Sequence, residues 1–206
     1  MKKIFIFLMT LLPSLLYAQK SAEEFLDKAA ARIKADAALQ MNYDYTVYDD
    51  DDVIVYSDNG VMLLDNRRYS LLMENMKVWS DGETQWSYMK DIDEVYITEA
   101  DSEEAQNLSP LYIMEKYRNG CSASLKHKGG VAVVTLVSQD EEDEVGKVEL
   151  YINKESYMLE SLYIFMPSQG RVEVFLNGYV PNCKFGDDVY RCPVEKFPSA
   201  EIVDMR

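Results

Sequence analysis

Apolar and polar positions follow two different periods along this chain, and the change between them marks its organisation. Between residues 21 and 40, Phe25, Leu26, Ala29, Ala30, Ile33 and Ala37 recur at i, i+3, i+4 spacing, with Glu23, Glu24, Asp27, Lys28, Arg32 and Lys34 opposite. That is the stripe of an amphipathic helix, and Ser21 with Glu24 three residues later reads as a capping box at its start. The stripe is rich in alanine, so the helix can lie close against a sheet. From residue 42 the period becomes two. Tyr43, Tyr45 and Val47 alternate with polar neighbours, Asp49 to Asp52 reads as a turn, and Val53 to Tyr56 runs into Ser57-Asp58-Asn59-Gly60, a hairpin signal. Strands are predicted over 61–65, 68–74 and 76–80, then over 84–89 after the Asp81-Gly82 turn, and over 94–98. An acidic loop at 99–107 leads to Ser109-Pro110, an N-cap followed by a first helical position, and Asn119-Gly120 is a stop. The helix between them, at 110–118, carries Leu111, Met114 and Tyr117 on one face. Strands resume at 122–127, 131–138, 147–153, 157–166 and 171–180. The segment 189–204 is expected to form a strand followed by an irregular edge, because Pro193 and Pro198 interrupt pairing.

Successive strands are joined by short connections with no crossover helices, which predicts antiparallel pairing. The expected fold is α+β and mostly β: one large, strongly curved antiparallel sheet with helices packed in its concavity. No repeat or linker divides the chain, so residues 20–206 form one expected domain.

The strand at 157–166 is apolar on both sides, with Met158, Leu162, Ile164 and Met166 against Tyr157, Leu159, Tyr163 and Phe165. A sheet with one solvated face alternates more cleanly, as 171–180 does. The 11 Met and 15 Tyr add to this, since methionine adapts to varied apolar partners and tyrosine suits surfaces that are apolar and wet by turns. Two readings fit: a core covered on both sides, or a ligand cavity.

The beginning of the chain changes the setting. Met1-Lys2-Lys3 precedes Ile4 to Leu16, interrupted by Thr10, Pro13 and Ser14, and Tyr17-Ala18-Gln19 follows. A short basic start, a short apolar run and a small residue predict a secretory signal peptide over 1–19, cleaved after Ala18 or Gln19. No cysteine stands at that position to carry a lipid anchor. Lys+Arg number 21 against 36 Asp+Glu, a net charge of −15. Losing Lys2 and Lys3 brings it to −17, a surface that repels nucleic acid and anionic headgroups alike.

Candidate chemistry is sparse. The one histidine, His127, rules out a catalytic triad or zinc site built on histidines. There is no phosphate loop, no nucleophile elbow and no Cys-x-x-Cys, so the chain does not read as an enzyme and no cofactor is expected. Asp49 to Asp52 and Glu141 to Glu144 lack the alternate spacing and glycine turn of a calcium loop and read as solvated tips. In an oxidising compartment Cys183 and Cys192 could staple a hairpin across the turn signal between them, or remain as two buried thiols, and Cys121 completes an odd count.

One stretch is more specific. Asp81-Gly82-Glu83-Thr84-Gln85-Trp86-Ser87-Tyr88, followed by Glu94-Val95-Tyr96-Ile97, resembles the strand pair of LolA-like outer-membrane lipoprotein carriers. The order of elements matches too, and the ending from Phe197-Pro198 to Val203-Asp204 is similar to the family's terminus. The resemblance implies an unclosed β-barrel with helices covering its concave face, in a soluble, monomeric periplasmic protein that shields the acyl chains of lipoproteins and delivers them from inner to outer membrane. Its partners would be acylated lipoproteins, an inner-membrane lipoprotein-releasing transporter and an outer-membrane acceptor. A binder or sensor of another lipid or amphiphile is the alternative. The expected acyl-chain cavity comprises Tyr45, Leu63, Leu71, Met73, Leu162, Ile164 and Val174, under a lid contributed by Phe25, Ile33, Leu111 and Met114. The family's lid-holding arginine precedes a proline, and the nearest candidates here are Arg67 and Arg68, followed by Tyr69. Trp86 is expected to pack across to the neighbouring strand and leave the cargo untouched.

Overall fold

The computed structural model describes residues 12–36, 38–102, 105, 114, 120–140, 143–167 and 169–206. The amphipathic stripe from Phe25 to Ile33 lies on helix α1 (Leu12–Lys34), which runs through the expected cleavage position and ends earlier than the expected 21–40; Ala37 lies outside the described residues. Ser21 therefore stands inside the helix and does not cap it. Ala22, Leu26, Ala29 and Ile33 are buried and Phe25 is half-buried. Arg32 closes the helix's end on Asp36 at 2.8 Å, and the chain is extended again by Leu39.

Six strands follow as a meander: β1 (Leu39–Tyr48), β2 (Ile54–Asp65), β3 (Arg68–Leu72), β4 (Met76–Ser80), β5 (Thr84–Met89) and β6 (Glu94–Glu99). A second meander comprises β7 (Cys121–Lys128), β8 (Val131–Ser138), β9 (Lys147–Asn153), β10 (Leu159–Met166) and β11 (Gly170–Val180). β11 returns to pair with β1, and β12 (Glu201–Asp204) closes the chain. Among the described residues the result is one 12-stranded sheet in the order β12-β6-β5-β4-β3-β2-β1-β11-β10-β9-β8-β7. The curved sheet does not close: its edges are β12 and β7, and α1 packs across β7 and β8 on the concave side.

Three expectations need correction. Ser57 to Gly60 is not a turn, because β2 runs straight through it, with Asn59 opposite Asp44 and Gly60 opposite Tyr43. Gly60 has another purpose: a Cβ there would lie 2.7 Å from the Leu72 carbonyl oxygen, 2.8 Å from Tyr43 Oη and 2.9 Å from Met73 Cγ. The glycine admits close approach. Next, the C-terminal segment is irregular first and a strand last, and β12 pairs with β6 in parallel. The parallel pair needs a crossover, and residues 181–200 supply it. They cross the outer face with 3-10 turns at Asp187–Tyr190 and Val194–Lys196, so no hairpin joins Cys183 to Cys192 and the three cysteines are free thiols. Third, the two-sided apolar pattern of β10 has a local cause. The register shifts between Leu159 and Ser161, which lets Leu159 and Leu162 both face inward against Ile152 and Leu150, while Tyr163 and Phe165 face out. A bulge of this kind also sharpens the bend of the strand.

The crossover explains why apolar side chains abound on the outer face near the Asp-Gly turn. Asp81 Oδ1 accepts the Glu83 and Thr84 backbone N–H groups at 3.1 and 2.9 Å, with Gly82 at φ +93°. Trp86 sits opposite Trp79, as expected of a cross-strand aromatic, and Phe197 covers this patch at 5.9 Å from Trp79 and 4.2 Å from Tyr88. None of these rings faces the concave side.

Candidate functional site

The concave face is continuous across the centre of the sheet. Reading the register outward from β1, Leu39 and Met41 lie beside Leu64 and Met62, and these beside Tyr69 and Leu71. On the other side Tyr45 neighbours Val174, Val174 neighbours Leu162, and Leu162 neighbours Leu150, which faces Val134. Leu26, Ile33 and Met114 join the same apolar cluster from above. Tyr69 holds Ala105 at this face: its hydroxyl donates to Gln85 Oε1 and lies 2.9 Å from the carbonyl oxygen of buried Ala105.

Burial falls along the face. Leu39, Met41 and Tyr43 on β1 are buried, whereas Tyr45 and Val47 are half-buried; Leu64 and Met62 on β2 give way to half-buried Asp58 and Tyr56; Leu162 gives way to Ile164 and Met166. The apolar floor thus grades into a polar, aromatic end beside the β1–β2 hairpin. There the Tyr45 and Tyr56 rings meet edge-on at 6.1 Å, and Tyr56 donates to Asp58 Oδ2 at 2.9 Å. The backbone N–H groups of Asn59 and Glu74 also reach Asp58, at 2.8 and 3.2 Å.

Burial alone would push the Asp58 carboxyl up. The hydrogen bonds from Tyr56 and from the backbone of Asn59, Glu74 and Asn75 outweigh it and hold the group below the ordinary carboxylate range. A depressed carboxylate stabilises the fold above its unfolded pKa, and that stability is lost as pH falls through the folded value. The destabilisation caused by Asp58→Asn should therefore be fully present at neutral pH, about 1 kcal/mol for a partly solvated group, and shrink below about pH 4. Thermal melts of both proteins from pH 7 to 3 measure it; a constant gap across that range would refute it.

The structure brings most of the expected residues together. Tyr45, Leu71, Met73, Leu162, Ile164 and Val174 all lie on or against the concave apolar cluster, with Phe25, Ile33 and Met114 over it. Leu111 lies outside the described residues, as does the expected helix at 110–118 apart from Met114. Leu63 is misplaced: it stands between inward-facing Met62 and Leu64, opposite Ser70, and belongs to the outer face. A strand's side chains alternate, so an error of one residue changes the face. Arg67 is exposed in the β2–β3 turn. Arg68 lies on the outer face, where it contacts Asp65, reaches Asp187 at 2.6 Å and covers the Tyr190 ring at 4.6 Å. With Ser70, which donates to the Val189 carbonyl, it ties down the C-terminal crossover. Among the described residues no cluster of carboxylate, histidine and cysteine groups could hold a metal ion, and no helix is long and apolar enough to cross a membrane.

Residues 15–166 match the family model described as outer membrane lipoprotein carrier protein LolA. The chain belongs to the LolA family. Comparison with the sequences of characterised proteins returned no match. Among solved structures, an uncharacterised conserved protein from Thermus thermophilus is similar, with TM-score 0.60 and 11% identity over 89% of this chain and 99% of that one. A DUF1329 family protein from Desulfovibrio piger has TM-score 0.51 and 6% identity over 86% and 98%. MucB has TM-score 0.50 and 10% identity over 85% of this chain and 64% of its own. At such identities the likeness is one of fold.

For a LolA family member, the informative concave-face residues that patterning missed are Tyr43, Asp58, Tyr69 and Gln85. Tyr69 and Gln85 fall at inward positions of β3 and β5, and polar residues at otherwise apolar inward positions were the available signal. Asp58 was hidden by the misread turn.

Proposed function

We propose that the protein is exported by its signal peptide to the periplasm and carries lipoproteins there, holding their acyl chains against the concave face. One observation carries this reading: the concave face of an open sheet is apolar across its centre and loses its burial toward one end, in a chain of the lipoprotein carrier family. Each acyl CH₂ left in water costs about 0.8 kcal/mol, so a carrier must cover chains that would otherwise hold the lipoprotein in the membrane. The cover must also give way without a chemical energy source. Phe25 and Ile33 on α1, with Met114, form such a cover, and cargo methylenes replace their contacts as they are displaced. The strongly acidic surface disfavours lingering on anionic membranes, which suits a shuttle between an inner-membrane releasing transporter and an outer-membrane acceptor. The chain acts here by binding alone.

Depletion in the native host, followed by separation of inner and outer membranes, tests the proposal. Lipoproteins should accumulate in the inner membrane, and the purified protein should retain lipoprotein on extraction. Unchanged sorting together with an empty purified protein would overturn it.

A further inference from the structure

Tyr43 stands where the buried and half-buried parts of the concave face meet. It is 6% exposed, yet its hydroxyl is fully buried and has no hydrogen-bond partner among the described residues. An unpaired buried hydroxyl is destabilising, so its retention calls for a reason. The surroundings are arranged around it. Gly60, opposite on β2, leaves room for the hydroxyl that a Cβ would crowd at 2.8 Å, and Met73 lines the same gap. Burial, followed by the nearby Asp58 carboxylate, pushes the phenol well above its ordinary pKa, so the hydroxyl stays protonated and can donate. On one side lie Met41, Met62 and Leu71; on the other lie Tyr45, Tyr56 and Asp58.

We infer that Tyr43 Oη donates a hydrogen bond to the carbonyl oxygen of an acyl ester, at the point where the ligand's hydrocarbon meets its polar part. An acyl-glycerol ester matches this gradient: its tails fit the floor formed by Met41, Met62, Leu71 and Leu162, its ester carbonyl falls at the boundary, and its polar remainder extends past Asp58 toward the β1–β2 hairpin. An acceptor on the ligand is what a protonated, unpaired donor in an apolar wall recognises. The inference rests on the carrier reading and adds the chemical feature that sets how deep the chains sit.

Two probes and one substitution test it: an N-acetylated diacylglyceryl-cysteine peptide, its dialkyl-ether counterpart lacking the ester carbonyls, and Tyr43→Phe. Wild type should bind the ester peptide more tightly than the ether. Tyr43→Phe should weaken the ester peptide about tenfold, which is about 1.4 kcal/mol, and leave the ether unchanged. Without ligand its melting temperature should equal or exceed that of wild type. Equal effects on the two probes, no effect on either, or a ligand-free melting temperature several degrees lower would each overturn the inference. If wild type binds neither probe, the carrier reading itself fails, a result distinct from the others.

Discussion

Gly60→Ala should lower the stability of the protein by about 2–3 kcal/mol, the upper part of the range for overpacking, or about 5–10 °C in melting temperature for a chain of this size. The added Cβ meets three atoms closer than ordinary contact. The Leu72 carbonyl oxygen belongs to the backbone of β3 and cannot move away without disturbing the β2–β3 ladder, whereas Tyr43 Oη and Met73 Cγ can swing aside only by opening the concave face. The same substitution should therefore also reduce lipopeptide binding. Gly130→Ala provides the control, since nothing lies within 4 Å of a Cβ there and its backbone is not left-handed; its melting temperature should stay within a degree or two of wild type. A turn role for Gly60 would instead give a smaller loss with binding intact. Equal melting temperatures for the two variants would eliminate the close-approach account.

That glycine also shows what kind of information the sequence withheld. Asn-Gly between apolar runs is the strongest short-range signal for a hairpin, and here it is overridden by pairing. Asn59 and Gly60 each face a β1 residue in an unbroken ladder, and the turn of this hairpin lies earlier, at the aspartates, where Asp52 adopts a positive φ and Asp49 Oδ1 accepts two backbone N–H groups. Local propensity cannot see a partner across the sheet. Where local signal and partner agree, the sequence sufficed: β5, β8 and β9 match their expected limits residue for residue, and Val172 and Val174 face inward as their alternation requires. The covering of the outer face by Tyr190 and Phe197 was not legible, because a crossing segment with no period of its own leaves no pattern to read. Nor was the inward step of Leu159, which depends on a bulge that alternation alone does not reveal. Most of the concave site could be read because a period of two, once its phase is right, names every inward residue; Leu63 was lost through the phase.

Charging the concave face should abolish cargo binding without unfolding the sheet. Ile164 and Val174 are the positions of choice, since they lie on adjacent strands, face the apolar cluster and are only half-buried. An aspartate at either one can keep its carboxylate near water in the free protein, so the double variant Ile164→Asp, Val174→Asp should fold and lose only a few degrees in melting temperature. Acyl methylenes laid against the two sites would instead bury unpaired charge. If three or four CH₂ groups are turned away at about 0.8 kcal/mol each, lipopeptide affinity falls about 100-fold. Tyr163 and Phe175 supply the matched comparison. They sit on the same two strands but face out, with their rings 5.7 Å apart and Phe175 42% exposed. Tyr163→Asp, Phe175→Asp should leave lipopeptide binding within about twofold of wild type. Titration of a fluorescent diacyl lipopeptide against the two double variants decides between the faces. If the outward pair loses affinity and the inward pair keeps it, acyl chains lie on the convex side, and the assignment of the carrier's cavity is wrong.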